Sequence, residues 1–242
     1  MEFTFNIYNN LLQALRDQNY KFQTVSDYVN NPGDRSVILR HDVDRIPRNA
    51  KVMGTYESSL GLNSTYYFRI VPHVFDGSII NTVAKQGHEI GYHYENLSDC
   101  NGDYEEAINN FKNKLRMIRE LYPVQTICMH GSPLSKWDNK KLWDQYDYKD
   151  FGIVAEPYFD IDFNEVFYLT DTGRMWNSEK YSVRDNVVDP FDIDVENTQQ
   201  LIGLIKAGKL PNKIMINAHP HRWFDFGFQW GRELIVQNLK NI

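Results

Sequence analysis

One feature limits what this chain can fold into more than any other. Short apolar runs alternate with segments whose apolar residues recur at steps of three and four. The runs Ser36 to His41, Thr65 to Ile70, His88 to His93, Gln125 to His130, Gly152 to Glu156, Val166 to Thr170 and Lys213 to Ala218 read as strands. Between and after them, Pro47 to Leu60, Ser78 to Lys85, Tyr104 to Leu121, Asn139 to Gln145, Thr198 to Ala207 and Arg232 to Leu239 read as helices. Pro47 suits a first helical turn and Asp103 an N-cap, while Gly61, Gly87, Pro123 and Gly208 mark stops. Strands joined through helices pair in parallel and are covered on both faces. The pattern therefore predicts an α/β fold, a barrel or a distorted, incomplete one.

Ahead of this alternation, Phe5, Tyr8, Leu12 and Leu15 mark an amphipathic helix, and Asn31-Pro32-Gly33-Asp34 a turn. Residues 1 to about 34 thus read as an N-terminal helical extension. No linker-like stretch, low-complexity run or internal repeat divides the 242 residues, which read as a single domain. Asp160 to Pro190 reads as irregular loops.

Bulk properties remove several function classes. The net charge is −6, and the densest basic stretch, Lys112 to Arg119, is interrupted by apolar residues at helical spacing. It reads as a solvated helix face, so nucleic acid is not an expected partner. Cys100 and Cys128 form neither a CxxC pair nor a zinc-finger spacing. The first residues lack a basic n-region, and no apolar run is long enough to span a bilayer. The expectation is a soluble, cytoplasmic protein with no integral membrane segment.

In barrels and open α/β sheets, chemistry collects beyond the C-terminal strand ends. Here those exits carry His41-Asp42-Val43-Asp44, His93, His130, Glu156 and His219-Pro220-His221. A lone histidine after a strand is ordinarily a hydrogen-bonded surface group, and acids there often cap the next helix; their joint placement is the stronger signal. In an extended segment Asp42 and Asp44 point to one side and Val43 to the other. Two carboxylates that close repel unless a cation sits between them, and Asp with His is a common ligand set for divalent metals.

Gly87-His88-Glu89-Ile90-Gly91-Tyr92-His93 closely resembles the segment carrying the metal-binding histidine of polysaccharide deacetylases, the NodB-homology or carbohydrate esterase family 4-like enzymes. Arg40-His41-Asp42-Val43-Asp44 resembles a DxD-type form of that family's first motif. His130-Gly131-Ser132-Pro133, Asp171 to Trp176 and Ile216 to Pro220 follow in the order of the third, fourth and fifth. The resemblance implies the family's distorted (β/α) barrel and metal-dependent removal of an N-acetyl group from a sugar. It implies Asp42 as catalytic base, Asp44 and His93 as metal ligands, and His219 as general acid oriented by Asp171. The family's second metal histidine falls four residues after the first, where this chain has Leu97. His130 is the preferred substitute, with Glu95 and His41 as alternatives. The arginine that normally orients the base is absent from the third segment. The implied cofactor is one divalent ion, zinc first, with cobalt and nickel as alternatives. Tyr94, Trp176, Trp223 and Arg174 are expected to contact the sugar.

Combined with the expected compartment, the resemblance implies an N-acetylated saccharide, nucleotide- or lipid-linked, during assembly of a surface polysaccharide such as O-antigen or capsule. A hydrolase of cyclic amides on the same fold, with or without a metal, and a non-catalytic saccharide-binding protein are the rival readings.

Overall fold

The computed structural model describes residues 1–176, 184–185, 187–188 and 190–240. Its strands are β1 (Lys21–Gln23), β2 (Ser36–Val43), β3 (Thr65–Phe68), β4 (Glu89–Tyr94), β5 (Ile127–Met129), β6 (Phe167–Thr170) and β7 (Lys213–Ala218). All pair in parallel in one sheet, in the order β5-β4-β3-β2-β7-β6, with β1 beside the first residues of β2. The helices are α1 (Phe5–Asp17), α2 (Val25–Asn30), α3 (Pro47–Ser59), α4 (Gly77–Lys85), α5 (Asn96–Asp99), α6 (Tyr104–Arg119), α7 (Pro157–Asp160), α8 (Thr198–Lys206) and α9 (Phe228–Lys240).

Strand parity divides the core in two. On one face of the sheet, Val37, Leu39, Val43, Tyr66, Phe68, Ile90, Tyr92 and Ile216 pack beneath the helices. On the other, Ile38, Tyr67, Cys128, Tyr168 and Met215 meet in a separate cluster. The adjacent residues Arg184 and Asp185 reach both edges of the sheet, Arg184 bonding the carbonyl oxygens of Gly131 and Ser132 beyond β5 and Asp185 the Tyr168 hydroxyl on β6, so the sheet curls. It curls without closing: β5 and β6 do not pair. The fold is a distorted, incomplete (β/α) barrel. Gly91 shows how tight its interior is. A Cβ there would lie 2.3 Å from the Tyr67 ring and 3.0 Å from the Thr126 carbonyl oxygen.

Helix ends follow local chemistry. Thr4 caps α1 through Ile7 N, and Asn19 follows its end at φ 61, the left-handed stop that asparagine tolerates. Asp103 caps α6 through Glu106 N at 2.9 Å, as expected.

Three expectations need correction. The N-terminal extension is not purely helical: Lys21, Phe22 and Gln23 pair with Ser36, Val37 and Ile38 and widen the sheet. Gly152 to Glu156 is not a strand but a single bridge, Thr126 to Ala155. Gly152 ends a 3-10 turn in the left-handed region and Pro157 starts α7, which leaves too little chain for a ladder. The terminal helix begins at Phe228, a turn before Arg232. Of the loops expected over Asp160 to Pro190, residues 177–183, 186 and 189 lie outside the described residues.

Candidate active site

Because every strand runs the same way, all strand exits share one mouth. A cleft of about 420 Å³ opens there, lined by Asp42, Asp44, His93, His130, Asp185 and His219 among others. Asp42, His93 and Asn217 are inward-facing strand residues; Asp44, His130 and His219 follow β2, β5 and β7.

Asp44 Oδ1 lies 3.3 Å from His93 Nε2 and 3.5 Å from His130 Nε2, and all three atoms fall within 4.8 Å of one another. The buried Oδ1 nevertheless makes no hydrogen bond, so the contacts are not in line. Both imidazoles are anchored through their other nitrogen. His93 Nδ1 meets the Cys128 carbonyl oxygen at 2.9 Å, and His130 Nδ1 meets Glu95 Oε2 and Ser132 Oγ at 3.0 Å each. Arg69 holds Glu95 by two hydrogen bonds of 2.9 and 2.7 Å. Burial raises the Glu95 carboxyl, but His130 and Arg69 outweigh it and bring its pKa to about 2. Anchored Nδ1 atoms, free Nε2 atoms and an orphaned carboxylate oxygen fit a divalent cation. Asp42, His93 and Cys128 also lie within ligand distance of one another. That set fits poorly, since burial raises the Cys128 thiol well above its ordinary pKa and Arg40 occupies Asp42.

Asp42 is held as a carboxylate. Arg40 grips it with Nε to Oδ1 at 3.0 Å and NH2 to Oδ2 at 2.6 Å, and Asn217 Nδ2 donates to Oδ2 at 3.0 Å. Burial raises its pKa, but Arg40 and His93 pull the other way and prevail. Arg40 is itself fully buried, two residues before Asp42 on the same strand face.

Opposite stands a second dyad. His219 Nδ1 lies 2.6 Å from Asp171 Oδ1, and Trp223 Nε1 donates to Asp171 Oδ2 at 2.7 Å. Burial and Arg222 lower the His219 pKa; Asp171 and Asp44 raise it, and the net direction is up. His219 Nε2 is left facing Asp44 Oδ2 at 4.0 Å.

Two neighbouring residues bridge the open side of the barrel. Arg184 donates to the carbonyl oxygens of Gly131, Ser132 and Ser135 beyond β5, at 2.6 to 2.8 Å. Asp185 accepts from the hydroxyls of Tyr158, Tyr168, Thr170 and Thr172 and lies 3.7 Å from Arg40.

The structure thus gathers Asp42, Asp44, His93, His130, Asp171 and His219 around one cleft. It does not bring the four expected sugar contacts there. Tyr94 has the opposite strand parity to His93, and its ring packs on Phe111 and Trp143. Trp176 is buried against Phe3 and Trp223 and bonds Thr198. Trp223 is wholly buried and serves Asp171. Arg174 turns away to a separate cavity, between the rings of Phe3 and Trp230. Of the alternative ligands, His41 faces outward to Glu57 at 2.8 Å and Glu95 is committed to His130 and Arg69. Glu156 does not line the cleft and caps α7. Sequence reasoning gave no role to Arg40, Asn217 or Asp185. Period-two counting back from Asp42 and His219 marks the first two; nothing local marks Asp185.

No family model and no curated protein matches the chain. Among solved structures it is similar to a Streptococcus mutans CE4 esterase, at 12% identity and TM-score 0.46 over 93% of this chain and 87% of that one. It is also similar to the Xyl-CE4 domain of a multidomain xylanase from the hindgut metagenome of Trinervitermes trinervoides, at 16% identity and TM-score 0.43 over 86% and 84%. A third is a CE4 family pseudoenzyme from Bacillus anthracis, at 11% identity and TM-score 0.45; 87% of this chain is covered but only 62% of that protein. Likeness at these identities says nothing about chemistry, which rests on the side chains themselves. No helix among the described residues is long and apolar enough to cross a membrane.

Proposed function

We propose that this chain is a metal-dependent hydrolase that removes the acetyl group from the nitrogen of an N-acetylated saccharide. The observation that carries the reading is the convergence of Asp44 Oδ1, His93 Nε2 and His130 Nε2, with each histidine anchored through Nδ1. Asp44, His93 and His130 would hold one divalent cation. Three protein ligands are the usual number where a position is kept open for chemistry. When bound, the ion supplies Lewis acidity toward a carbonyl oxygen and a water.

The chain's own groups do the rest. Asp42, fixed by Arg40 and Asn217, takes the proton of the attacking water as the C–O bond forms. His219, whose pKa Asp171 raises against burial and Arg222, gives a proton to the departing nitrogen as the C–N bond breaks. The products are acetate and the free amine. Trp223 and the His219 backbone amide hold Asp171 in place and so fix the direction of the imidazole.

Elemental analysis of protein purified without chelator, beside His93→Ala and His130→Ala, tests the site. About one divalent ion per chain, lost in both variants, is expected; acetate release from N-acetylated sugars then tests the reaction. Loss in His93→Ala alone would remove His130 from the ligand set. A wild-type chain that binds no zinc, cobalt or nickel would end the metal-hydrolase reading and leave metal-free amide hydrolysis or saccharide binding.

A further inference from the structure

Among the described residues the cleft is lined by four arginines, Arg45, Arg69, Arg184 and Arg222, and by no lysine. This is unusual company for a neutral sugar, in a chain of net charge −6. Arg69 is occupied by the Glu95 carboxylate and Arg184 by three carbonyl oxygens, while Arg222 is occupied in part, its NH1 donating to the Asp171 carbonyl oxygen. Arg45 and Arg222 line this cleft together with the buried His221. Burial pushes the His221 imidazole well below its ordinary pKa, with Arg222 adding to the effect and Asp44 opposing it.

This corner has donor capacity that the protein does not use. Arg222 is 8% exposed, and its buried Nε has no acceptor. His221 is 2% exposed, and its Nδ1, a donor in one tautomer of the neutral ring, has no partner among the described residues. Arg45 is more open: its side chain is 38% exposed and lies 3.3 Å from Glu233 of α9. Asp171 lies 3.6 Å from Arg222 NH1, but that carboxylate is already shared with His219 and Trp223. Unsatisfied buried donors are rare in native proteins and ordinarily mark a missing partner. Guanidinium groups are the side chains suited to two-point recognition of phosphate and carboxylate.

We propose that the saccharide taken by this cleft is anionic, with its phosphoryl or carboxylate group received by Arg45, His221 and Arg222 beside His219. The sugar part of this inference rests on the deacetylase reading; the charge part does not. It makes charge a criterion of selection, because a neutral sugar leaves the corner's donors unpaired on closing the cleft.

Isothermal titration on the whole 242-residue chain, first stripped of metal, provides the test. Stripping matters because a dication would itself attract an anion. The probes are N-acetylglucosamine, its 1-phosphate and the corresponding N-acetylated uronic acid. At least one charged sugar should bind about tenfold or more tightly than the neutral one, the scale of one charge-assisted contact, with the preference shrinking as salt rises. Whichever charged sugar binds better identifies the anion as phosphoryl or carboxylate. Arg45→Gln and Arg222→Gln should each erase most of that preference and leave neutral-sugar affinity unchanged. Arg45 is partly exposed and its replacement leaves the core intact, so the test survives if Arg222→Gln fails to fold. Equal affinity for charged and neutral sugars overturns this inference alone. So does an equal loss for both in Arg45→Gln. Binding of no sugar, by a chain whose metal content is one equivalent before stripping, overturns the saccharide reading and this inference with it.

Discussion

Replacing Glu156 by Gln should change how stability depends on pH, more than stability at any one pH. Glu156 is fully buried, with Oε1 accepting from Met129 N at 3.0 Å and Oε2 from Tyr158 N at 2.6 Å. Burial pushes its pKa up to about 7, against the pull of those two amides, Arg40 and Lys140. In the unfolded chain it returns to the ordinary carboxyl range. The folded pKa is therefore the higher one. The group's contribution is fully present below about pH 4.5 and is lost as pH rises through 7. Moving a carboxyl that far is worth about 3 kcal/mol. Gln cannot ionise, and the other titrating groups are common to both proteins, so they cancel in the difference. Urea unfolding of both proteins at about pH 5, 6, 7 and 8 is the assay, read as midpoints at constant slope. At the acid end the variant should be weaker by about 1 kcal/mol, because its single oxygen serves two amides. Its stability relative to wild type should then climb by about 3 kcal/mol across the series. Parallel curves would refute the reasoning: they would mean that the two amides and Arg40 keep Glu156 ionised in the folded state.

Other expectations follow from the same geometry. Asp42→Asn should retain the metal by elemental analysis and lose about a hundredfold or more in acetate release; full activity would disprove its role as base. Glu95→Gln should weaken metal binding by about 10- to 100-fold in a chelator competition, since it loosens His130; unchanged affinity would exclude His130. Metal affinity should fall between about pH 8 and pH 5.5 in equilibrium dialysis, because Asp42 and Asp44 raise the His93 pKa and the proton competes for Nε2. A flat profile would mean that no imidazole binds the ion. Gly91→Ala should destabilise the chain by about 1–3 kcal/mol in urea, because the Thr126 carbonyl behind the new methyl cannot yield as the Tyr67 ring can. An unchanged midpoint would show that the Thr126 carbonyl gives way as readily as the Tyr67 ring.

How much of this was legible in the sequence depends on the range over which each feature is determined. The run Lys213–Ala218 is six residues, apolar for most of its length, between Pro211 and His219, and it folds as the strand that local pattern predicts. Lys21–Gln23 has only three residues, and its pairing depends on β2 being beside it, so no periodicity could announce it. The cleft divides the same way. Asp42, Asp44 and His93 stand at strand ends, where alternation fixes the side each faces. Alternation also places Arg40 with Asp42 and Asn217 on the inward face, and excludes Tyr94 by putting it opposite His93. Following the period instead of the motif would have moved Arg40 into the site and Tyr94 out of it. Trp176 and Trp223 lie in irregular segments with no period, and their ring directions come from Phe3 and Asp171, far away in sequence.

Asp185 is the limiting case. Its partners come from four separate segments: β2, the start of α7, β6 with the turn after it, and β7. Only the curl of the sheet brings these together. A barrel left open between β5 and β6 exposes its interior donors at that gap, among them the hydroxyls of Tyr158 and Tyr168 and the Arg40 guanidinium. Buried polar groups must find partners. A closed barrel would supply them from further strands; this chain supplies them from a two-residue bridge, with Arg184 gripping the β5 side and Asp185 the β6 side. The same openness that makes the cleft accessible is thus what demands Arg184 and Asp185. Their opposite charges follow from what each edge leaves unpaired: carbonyl oxygens beyond β5, and hydroxyls with a guanidinium beside β6.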